Sequence, residues 1–158
     1  MSEVLILIGS ESDRPKMDGA VARLEKSGVG CELAVVSAHR DPELLAARMA
    51  ELDRDGVQVV ICAAGMAAHL AGAVAARCVR PVIGVPLSAG ALQGWDALLS
   101  TVQMPRGVPV ATVGVDQAEN AAVLALQILA VGSSERREAL LAERQAERAR
   151  RAMAAKQA

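Results

Sequence analysis

Two neighbouring side chains, His39 and Arg40, stand where a run of apolar residues ends, in the stretch "SAHRDP" that begins at Ser37. An imidazole can take up and release a proton near neutral pH, and a guanidinium can hold a phosphate through two parallel hydrogen bonds. The pair therefore indicates proton transfer on a phosphorylated molecule. A lone His-Arg pair on a surface turn usually has no function, so other residues have to support this interpretation.

Two more short stretches carry the residue types of a small polar site. The stretch "GSESD" supplies the hydroxyls of Ser10 and Ser12, the carboxylate of Asp13 and a helix start whose N–H groups attract anions. The stretch "AAGMAAHL" is rich in small residues that let a ligand approach the backbone, and it contains the second histidine, His69. Taken alone, the first stretch is also typical of any capped helix, and His69 is more simply explained as a packed residue inside a helix.

Apolar runs and helix signals alternate along the chain and decide where these stretches lie. Ser12 is predicted to cap the first helix, and Asp41 and Pro42 to start the second, which Gly56 ends. The third helix is predicted over "MAAHLAGAVAAR", and the fifth over 118–130. The five predicted strands are "EVLILIGS", "GVGCELAVVS", "VQVVICAAG", "PVIGVP" and "VPVATVGV".

This alternation predicts an α/β fold in three αβα layers, with a parallel sheet between helices. Short loops and right-handed crossovers favour the flavodoxin-like strand order 2-1-3-4-5. Ligands of such sheets bind beyond the carboxyl ends of the strands, near the point where the strand order reverses. The three polar stretches follow strands 1, 2 and 3, so we expect them to converge there. We expect residues 1–131 to form this domain and 132–158 to form its charged helical extension, with Glu147 and Arg151 at helical spacing.

The composition excludes several classes of protein. The net charge of −1 provides no basic field for nucleic acid or anionic lipid. One Trp and no Phe or Tyr leave no rings on which a single-strand binder could stack bases. No apolar stretch reaches membrane-spanning length without a charge or breaker, and no signal-peptide pattern is visible, so we expect a cytoplasmic protein. The three cysteines, odd in number and without CxxC spacing, are expected to be buried, reduced thiols.

Known cofactor and metal motifs are also missing from the sequence. It has no GxGxxG and no GxxxxGK[ST], the usual cradles for dinucleotides and nucleoside triphosphates. Two histidines in separate loops, without a pattern of Cys or Glu partners, do not predict a metal site. The three loops together therefore favour a small phosphorylated substrate that undergoes proton transfer.

Several longer motifs resemble those of one known enzyme family. The motifs "GSESD", "SAHR", "AAHL", "PVIGVP", "LLSTVQMPRGVPVATV" and "NAAVLALQIL" occur in the order found in the N5-carboxyaminoimidazole ribonucleotide mutase family of purine biosynthesis. The resemblance covers residues 3–131. The histidine of "AAHL" resembles the bacterial and plant mutase branch more than the related carboxylases that use CO2 directly.

The resemblance implies an isomerase of IMP biosynthesis that binds a nucleotide and moves a carboxyl group within it. The carboxyl on the 5-amino group leaves as CO2, stays in the closed site and is attacked by ring carbon 4. The family implies no metal or organic cofactor and a homo-oligomer, commonly an octamer, with "VQMP" near its axis. It implies His39 as general acid/base, with Ser10, Asp13 and Arg40 binding substrate and Ser12, Ser37, Ala38, Ala64, Gly65, His69 and Leu70 surrounding it.

The sequence departs from the family pattern at a few positions. Asp41 stands where the family usually has threonine, and it adds a negative charge beside a site for an anionic substrate. In the family's "GAGGAAHLPG", Ala63 and Met66 replace glycines and Ala71 replaces proline. The loop before Asn120 is also shorter than usual. We expect Met66 to matter most, because its side chain can enter the pocket.

Two other functions remain open. One is a paralogue that carboxylates or decarboxylates a different heteroaromatic nucleotide, for which Met66 is the main support. The other is a non-catalytic nucleotide-binding or assembly module. The presence of both His39 and Arg40 argues against such a module.

Overall fold

A computed structural model describes residues 2–156, apart from the side chains of 53–55. The chain separates into two compact units, Met1–Ala125 and Leu126–Ala158. The first unit contains a five-stranded parallel sheet in the order β2-β1-β3-β4-β5, which confirms the predicted fold class and strand order. Its strands are β1 (Val4–Ile8), β2 (Cys31–Val35), β3 (Val59–Gly65), β4 (Val82–Leu87) and β5 (Ala111–Thr112).

Six helices complete the described part of the chain. Four follow the first four strands, in accordance with the βα alternation that the sequence predicts. The fifth has the predicted bounds, and the sixth runs through the charged C-terminal stretch. Their bounds are α1 (Arg14–Lys26), α2 (Pro42–Asp55), α3 (Leu70–Ala75), α4 (Trp95–Val102), α5 (Ala118–Ala130) and α6 (Ser134–Ala155).

The central strand β1 has the sequence "VLILI", and all five residues are buried. It pairs with β2 on one side and β3 on the other, while helices cover both faces of the sheet, so neither face tolerates a polar side chain. In this register Ile8 lies opposite both Val35 and Ala63. The segments that follow β1, β2 and β3 therefore leave the sheet at the same level.

The second helix begins and ends as the sequence predicts. The carboxylate of Asp41 accepts a hydrogen bond from the backbone N–H of Leu44 at 3.1 Å, and Pro42 is the first helical residue. Gly56 ends the helix in the left-handed conformation, with φ of 74°. The inward face carries Leu45, Met49 and Leu52, all buried as predicted.

Three local predictions were wrong. Ser10 rather than Ser12 caps the first helical segment: its hydroxyl accepts from the Ser12 backbone N–H, and a 3₁₀ turn (Glu11–Asp13) precedes α1. The third helix begins at Leu70, not Met66, because Met66 has φ of 53° and a right-handed helix cannot include it. The fifth strand has only two residues, since β5 pairs with β4 through Ala111 and Thr112 alone.

The C-terminal helix α6 is 22 residues long, and none of its residues is buried. The hydroxyl of Ser133 caps it by accepting from the Arg136 backbone N–H. Arg151 and Glu147 form the predicted i,i+4 ion pair, with 2.9 Å between Nε and Oε1. Within residues 2–156, none of the helices combines the length and the apolar character that crossing a membrane requires.

Close packing of β4 against α4 generates the first prediction. A Cβ on Gly84 would lie 2.3 Å from Thr101 Cγ2 and 2.9 Å from Val110 Cγ1, so Gly84→Ala should destabilise the fold by about 1–3 kcal/mol. The control is Gly19→Ala on α1, where a Cβ meets nothing within 4 Å and should stabilise the helix by about 0.5–1 kcal/mol. Urea denaturation measures both changes, and equal effects would contradict the packing described here.

Candidate functional site

The three polar stretches meet at the carboxyl edge of the sheet. An Nη2 proton of Arg40 is donated to the Gly9 carbonyl at 3.1 Å, which joins the segment after β2 to the segment after β1. A Cβ on Gly9 would lie 3.7 Å from the Cβ of Ala64 and 3.8 Å from Oδ2 of Asp13. The segment after β3 is therefore adjacent to the same glycine, and the expected convergence of the three strand ends is observed.

The two histidines contact each other directly. Nε2 of His39 lies 2.7 Å from Nδ1 of His69, and the rings meet edge to face with their centroids 4.9 Å apart. At this distance one nitrogen donates and the other accepts, so the two rings share one proton at the contact. Both side chains are exposed to solvent. The expectation that His69 packs inside a helix was wrong, because it precedes α3 as its N-cap residue and faces the other loop.

Arg40 is held in place from two sides. Ser37 Oγ accepts from the Arg40 backbone N–H at 3.2 Å and from its Nε at 3.4 Å, while the Gly9 carbonyl accepts from Nη2. A guanidinium carries five N–H donors, and these contacts use two of them. The remaining donors give an exposed, oriented cation beside the start of α1, an arrangement suited to binding an anion.

The "GSESD" segment forms a compact hydroxyl cluster ahead of α1. Ser12 Oγ donates to Ser10 Oγ at 2.9 Å, and the Ser12 backbone N–H points to the same oxygen. Burial raises the pKa of Asp13 above its usual value, and this effect exceeds the opposing influence of the Ser10 backbone and the Lys16 charge. The carboxyl of Asp13 is therefore placed where its charged form is poorly solvated.

Small residues give the floor of this edge its shape. Ala38 and Ala64 are half-buried against the core, and Leu70 is buried. A Cβ on Gly65 would lie only 3.0 Å from the Cβ of Ala89 and 3.3 Å from the Leu87 carbonyl oxygen, so this position has no room for a side chain. All the residues that the sequence predicts for the site thus lie in the three segments at this edge.

The sequence analysis missed a fourth segment at the same edge, residues 88–90 after β4. Ala89 contacts Gly65, and Gly90 faces the side chain of Met66, whose sulfur would lie 3.7 Å from a Cβ at that position. Ser88 is bound by Lys16 and Asp116. The signal for this segment was the small-residue run "SAG" directly after a buried strand, as in the other three segments.

Met66 stands in left-handed backbone and its side chain is 58% exposed. That conformation favours glycine, which is the residue of the family pattern at this position. The side chain lies beside Gly90, where a Cβ would meet its Cγ and Sδ at 3.7 Å. No group of three or more His, Cys, Asp or Glu residues that could hold a metal ion occurs in the described part of the chain.

Residues 3–150 match the family described as AIR carboxylase. A Pyrococcus abyssi protein named N5-carboxyaminoimidazole ribonucleotide mutase is 51% identical over 140 residues, which is 89% of this chain and 80% of that protein. A relative of the same name from Methanocaldococcus jannaschii is 52% identical over 128 residues, covering 81% of this chain and 79% of its own length. The crystal structure of Treponema denticola PurE shares the fold with a TM-score of 0.85 and 26% identity, over 93% of this chain and 92% of that one.

The raised pKa of Asp13 generates a stability prediction. A carboxyl whose pKa is higher in the folded state destabilises the fold as pH rises through the unfolded value, and the full penalty is present above the folded value. Asp13→Asn should therefore raise the melting temperature modestly at pH 7, and the gain should disappear in acid, below both pKa values. Thermal unfolding between pH 3 and 7 measures this, and a gain independent of pH would contradict the burial of a charge.

Proposed function

The chain belongs to the AIR carboxylase family, and from this premise we propose that it is an N5-carboxyaminoimidazole ribonucleotide mutase, an isomerase of purine biosynthesis. The observation that carries the proposal is the His39–His69 pair beside the anchored Arg40, at one sheet edge of a chain that is about half identical to relatives with that name. Proton transfer and phosphate binding, the two capabilities that the reaction requires, are then adjacent.

We assign the substrate phosphate to Arg40 and the start of the helical segment after β1. A phosphate monoester carries about −1.5 to −2 charges near pH 7 and accepts several hydrogen bonds. Arg40 offers its unused N–H donors, and the hydroxyls of Ser10 and Ser12 lie in the adjacent segment. Because Ser37 and Gly9 already orient the guanidinium, little side-chain entropy is lost when the anion binds.

His39 is the proposed general acid and base. Loss of CO2 from the 5-amino group leaves a nitrogen that takes up one proton, and attack of ring carbon 4 on the CO2 releases one proton from that carbon. One imidazole balances both steps by giving its proton to nitrogen and recovering one from carbon. While His69 is bound to Nε2 of His39, the proton reaches the substrate through Nδ1 or after the two rings have separated.

Retention of CO2 between the two steps needs a small pocket with little water. Ala38 and Ala64 are small and half-buried at this edge, and Gly65 has no side chain. The buried Leu70 and the nearby Ala89 add apolar surface. These residues support the proposal because CO2 has no charge and gains nothing from polar partners. No metal or organic cofactor takes part in this proposal.

A second candidate is a carboxylase or decarboxylase that acts on a different heteroaromatic nucleotide. The observation in its favour is Met66, whose left-handed backbone carries a long side chain at the rim of the site. A Vigna aconitifolia relative named phosphoribosylaminoimidazole carboxylase, chloroplastic, is 50% identical over 127 residues, although these make up only 23% of that protein. The assay below separates the two reactions.

We also propose that the protein assembles as a homo-oligomer, with an octamer as the expected size. One face of α4 exposes the large side chains of Trp95, Leu99 and Val102, at helical spacing, and Leu92 lies just before it. Contiguous exposed apolar patches of this kind mark interaction surfaces. The described cysteines, none of which forms a disulfide, agree with a reducing compartment, and we propose the cytoplasm.

The catalytic proposal predicts that the parent protein converts N5-carboxyaminoimidazole ribonucleotide to its carbon-4 carboxylated isomer. Ultraviolet absorbance measures this conversion. His39→Asn should lower turnover by about 10²–10⁴-fold while calorimetry still shows substrate binding. His69→Asn, the same change on the partner ring, should cause a smaller loss because only His39 moves the proton.

Two outcomes of this assay would contradict the assignment. Turnover by His39→Asn within a few-fold of the parent would remove His39 from its role and leave Asp13 or His69 as the candidate base. A parent that ignores the carboxylated nucleotide but consumes aminoimidazole ribonucleotide with CO2 would be a carboxylase.

The assembly proposal predicts one large species when the parent sediments at micromolar concentration. Leu99→Glu should shift the protein to smaller species, because it places a charge in the exposed apolar face of α4. The matched control is Val79→Glu, at a side chain that is 98% exposed and outside α4, which should leave the assembly intact. A monomeric parent, or equal effects of the two substitutions, would refute the role of this face.

A further inference from the structure

Three residues far apart in the sequence form a polar cluster next to the candidate site. Lys16, in the first turn of α1, donates from Nζ to Ser88 Oγ at 2.7 Å and to the Ser88 carbonyl oxygen. Its Nζ also lies 3.1 Å from Oδ1 of Asp116, in the segment after β5. We call this set the Lys16 cluster. It links α1 to the segments after β4 and β5.

The cluster binds every polar group of Ser88. Asp116 accepts from the Ser88 backbone N–H at 2.9 Å with Oδ1 and from the Ser88 hydroxyl with Oδ2, while Lys16 holds the Ser88 carbonyl. Asp116 has left-handed backbone, with φ of 57°, and its own N–H donates to the Pro86 carbonyl at 2.9 Å. Partial burial raises the pKa of Asp116, but hydrogen bonds from Ser88 and Lys16 outweigh it and hold this pKa below its usual value.

The residues directly after Ser88 contact the candidate site. Ala89 packs against Gly65, and Gly90 lies beside the Met66 side chain. Strand pairing holds Leu87 beside Gly65, and the position of Ser88 therefore decides where Ala89 and Gly90 lie against the segment after β3. On its other side, the charge of Lys16 lowers the pKa of Asp13 against the stronger effect of burial. The cluster thus influences the site at two points, through residues 89–90 and through Asp13. None of its own three residues is assigned to the substrate.

Fold stability alone does not account for this arrangement. An ion pair between partly exposed side chains contributes only about 0–1 kcal/mol, and both Lys16 and Asp116 keep about a third of their side-chain surface exposed. What the cluster provides is position, because four hydrogen bonds from Lys16 and Asp116 converge on the single loop residue Ser88. A loop residue anchored in this way holds the residues that follow it in a fixed position.

We propose that Lys16, Ser88 and Asp116 are positioning residues that hold residues 88–90 as the fourth wall of the substrate site. This inference rests on the proposed function, and it adds residues that neither the sequence motifs nor the assigned mechanism includes. Without the Lys16 ammonium, Ser88 is held by Asp116 alone. The substrate then has to order residues 88–90 when it binds, and this ordering costs binding free energy. The loss is therefore one of substrate affinity, while the proton chemistry at His39 continues.

The test is the split between KM and kcat in Lys16→Met. We expect KM for N5-carboxyaminoimidazole ribonucleotide to rise about tenfold and kcat to fall less than about threefold. Lys16→Arg, which can still donate to Ser88 and Asp116, should recover most of the affinity. Asp116→Asn keeps an acceptor, and Asn tolerates left-handed backbone, so its KM should rise by a smaller factor. The matched control Lys26→Met removes a lysine from the other end of α1 and should leave KM unchanged.

A merely structural role would lower the melting temperature or the active fraction and leave KM unmoved. An unchanged KM in Lys16→Met, with or without a loss of kcat, would overturn the proposal. So would a failure of Lys16→Arg to recover affinity.

A second measurement does not depend on the reaction. The amide N–H of Ser88, which donates to Asp116, should exchange with solvent about tenfold faster in Lys16→Met than in the parent, without substrate present. Unchanged exchange would overturn the proposal even in an active enzyme. If exchange is faster in Lys16→Met but the parent itself does not turn over the nucleotide, the proposed function is contradicted and the anchoring of the loop is established.

Discussion

The pairing of β1 with β2 on one side and β3 on the other is the interaction on which the site depends. In this parallel register, Ile8 stands opposite both Val35 and Ala63, so three loops leave the sheet at one level. The central strand of this sheet is fully buried, so the polar chemistry of the site is restricted to the strand ends. That is why hydroxyls, a guanidinium and two imidazoles, which are scattered through the sequence, lie at one edge of the sheet.

Unusual backbone is concentrated at the same edge. Among the described residues other than glycine, only Met66, Gln93 and Asp116 have positive φ, and they follow β3, β4 and β5 respectively. A residue with a Cβ in left-handed backbone costs about 1–2 kcal/mol relative to the right-handed form. The surrounding contacts offset this cost: Asp116 binds Ser88 and Lys16, and Met66 lies against Gly90. Strain held in place at strand ends is typical of sites where loop geometry matters more than stability.

The scaffold behind this edge is built almost without aromatic residues. Its core consists of Val, Leu, Ile, Ala and Met side chains, with β1 and most of β3 wholly enclosed. Small residues let the layers approach closely, as at Gly84, where Thr101 of α4 occupies the space of a side chain. The one tryptophan is instead exposed at the start of α4. A closely packed core of this kind supports the edge at which His39 and His69 meet.

The sequence by itself determined the fold class, the strand order and the bounds of α5, because apolar period, helix caps and the βα alternation are local signals. Asp41, Pro42 and Gly56 likewise marked both ends of α2, since a cap acts within one helical turn. The sequence also predicted that the candidate residues lie on three loops that converge. Only the tertiary structure decided that His39 meets His69, 30 positions away, and that Lys16 reaches Ser88 and Asp116, 72 and 100 positions away. It decided too that α3 begins after Met66. Such contacts depend on strand register and on backbone angles set by packing, which no short stretch of sequence encodes.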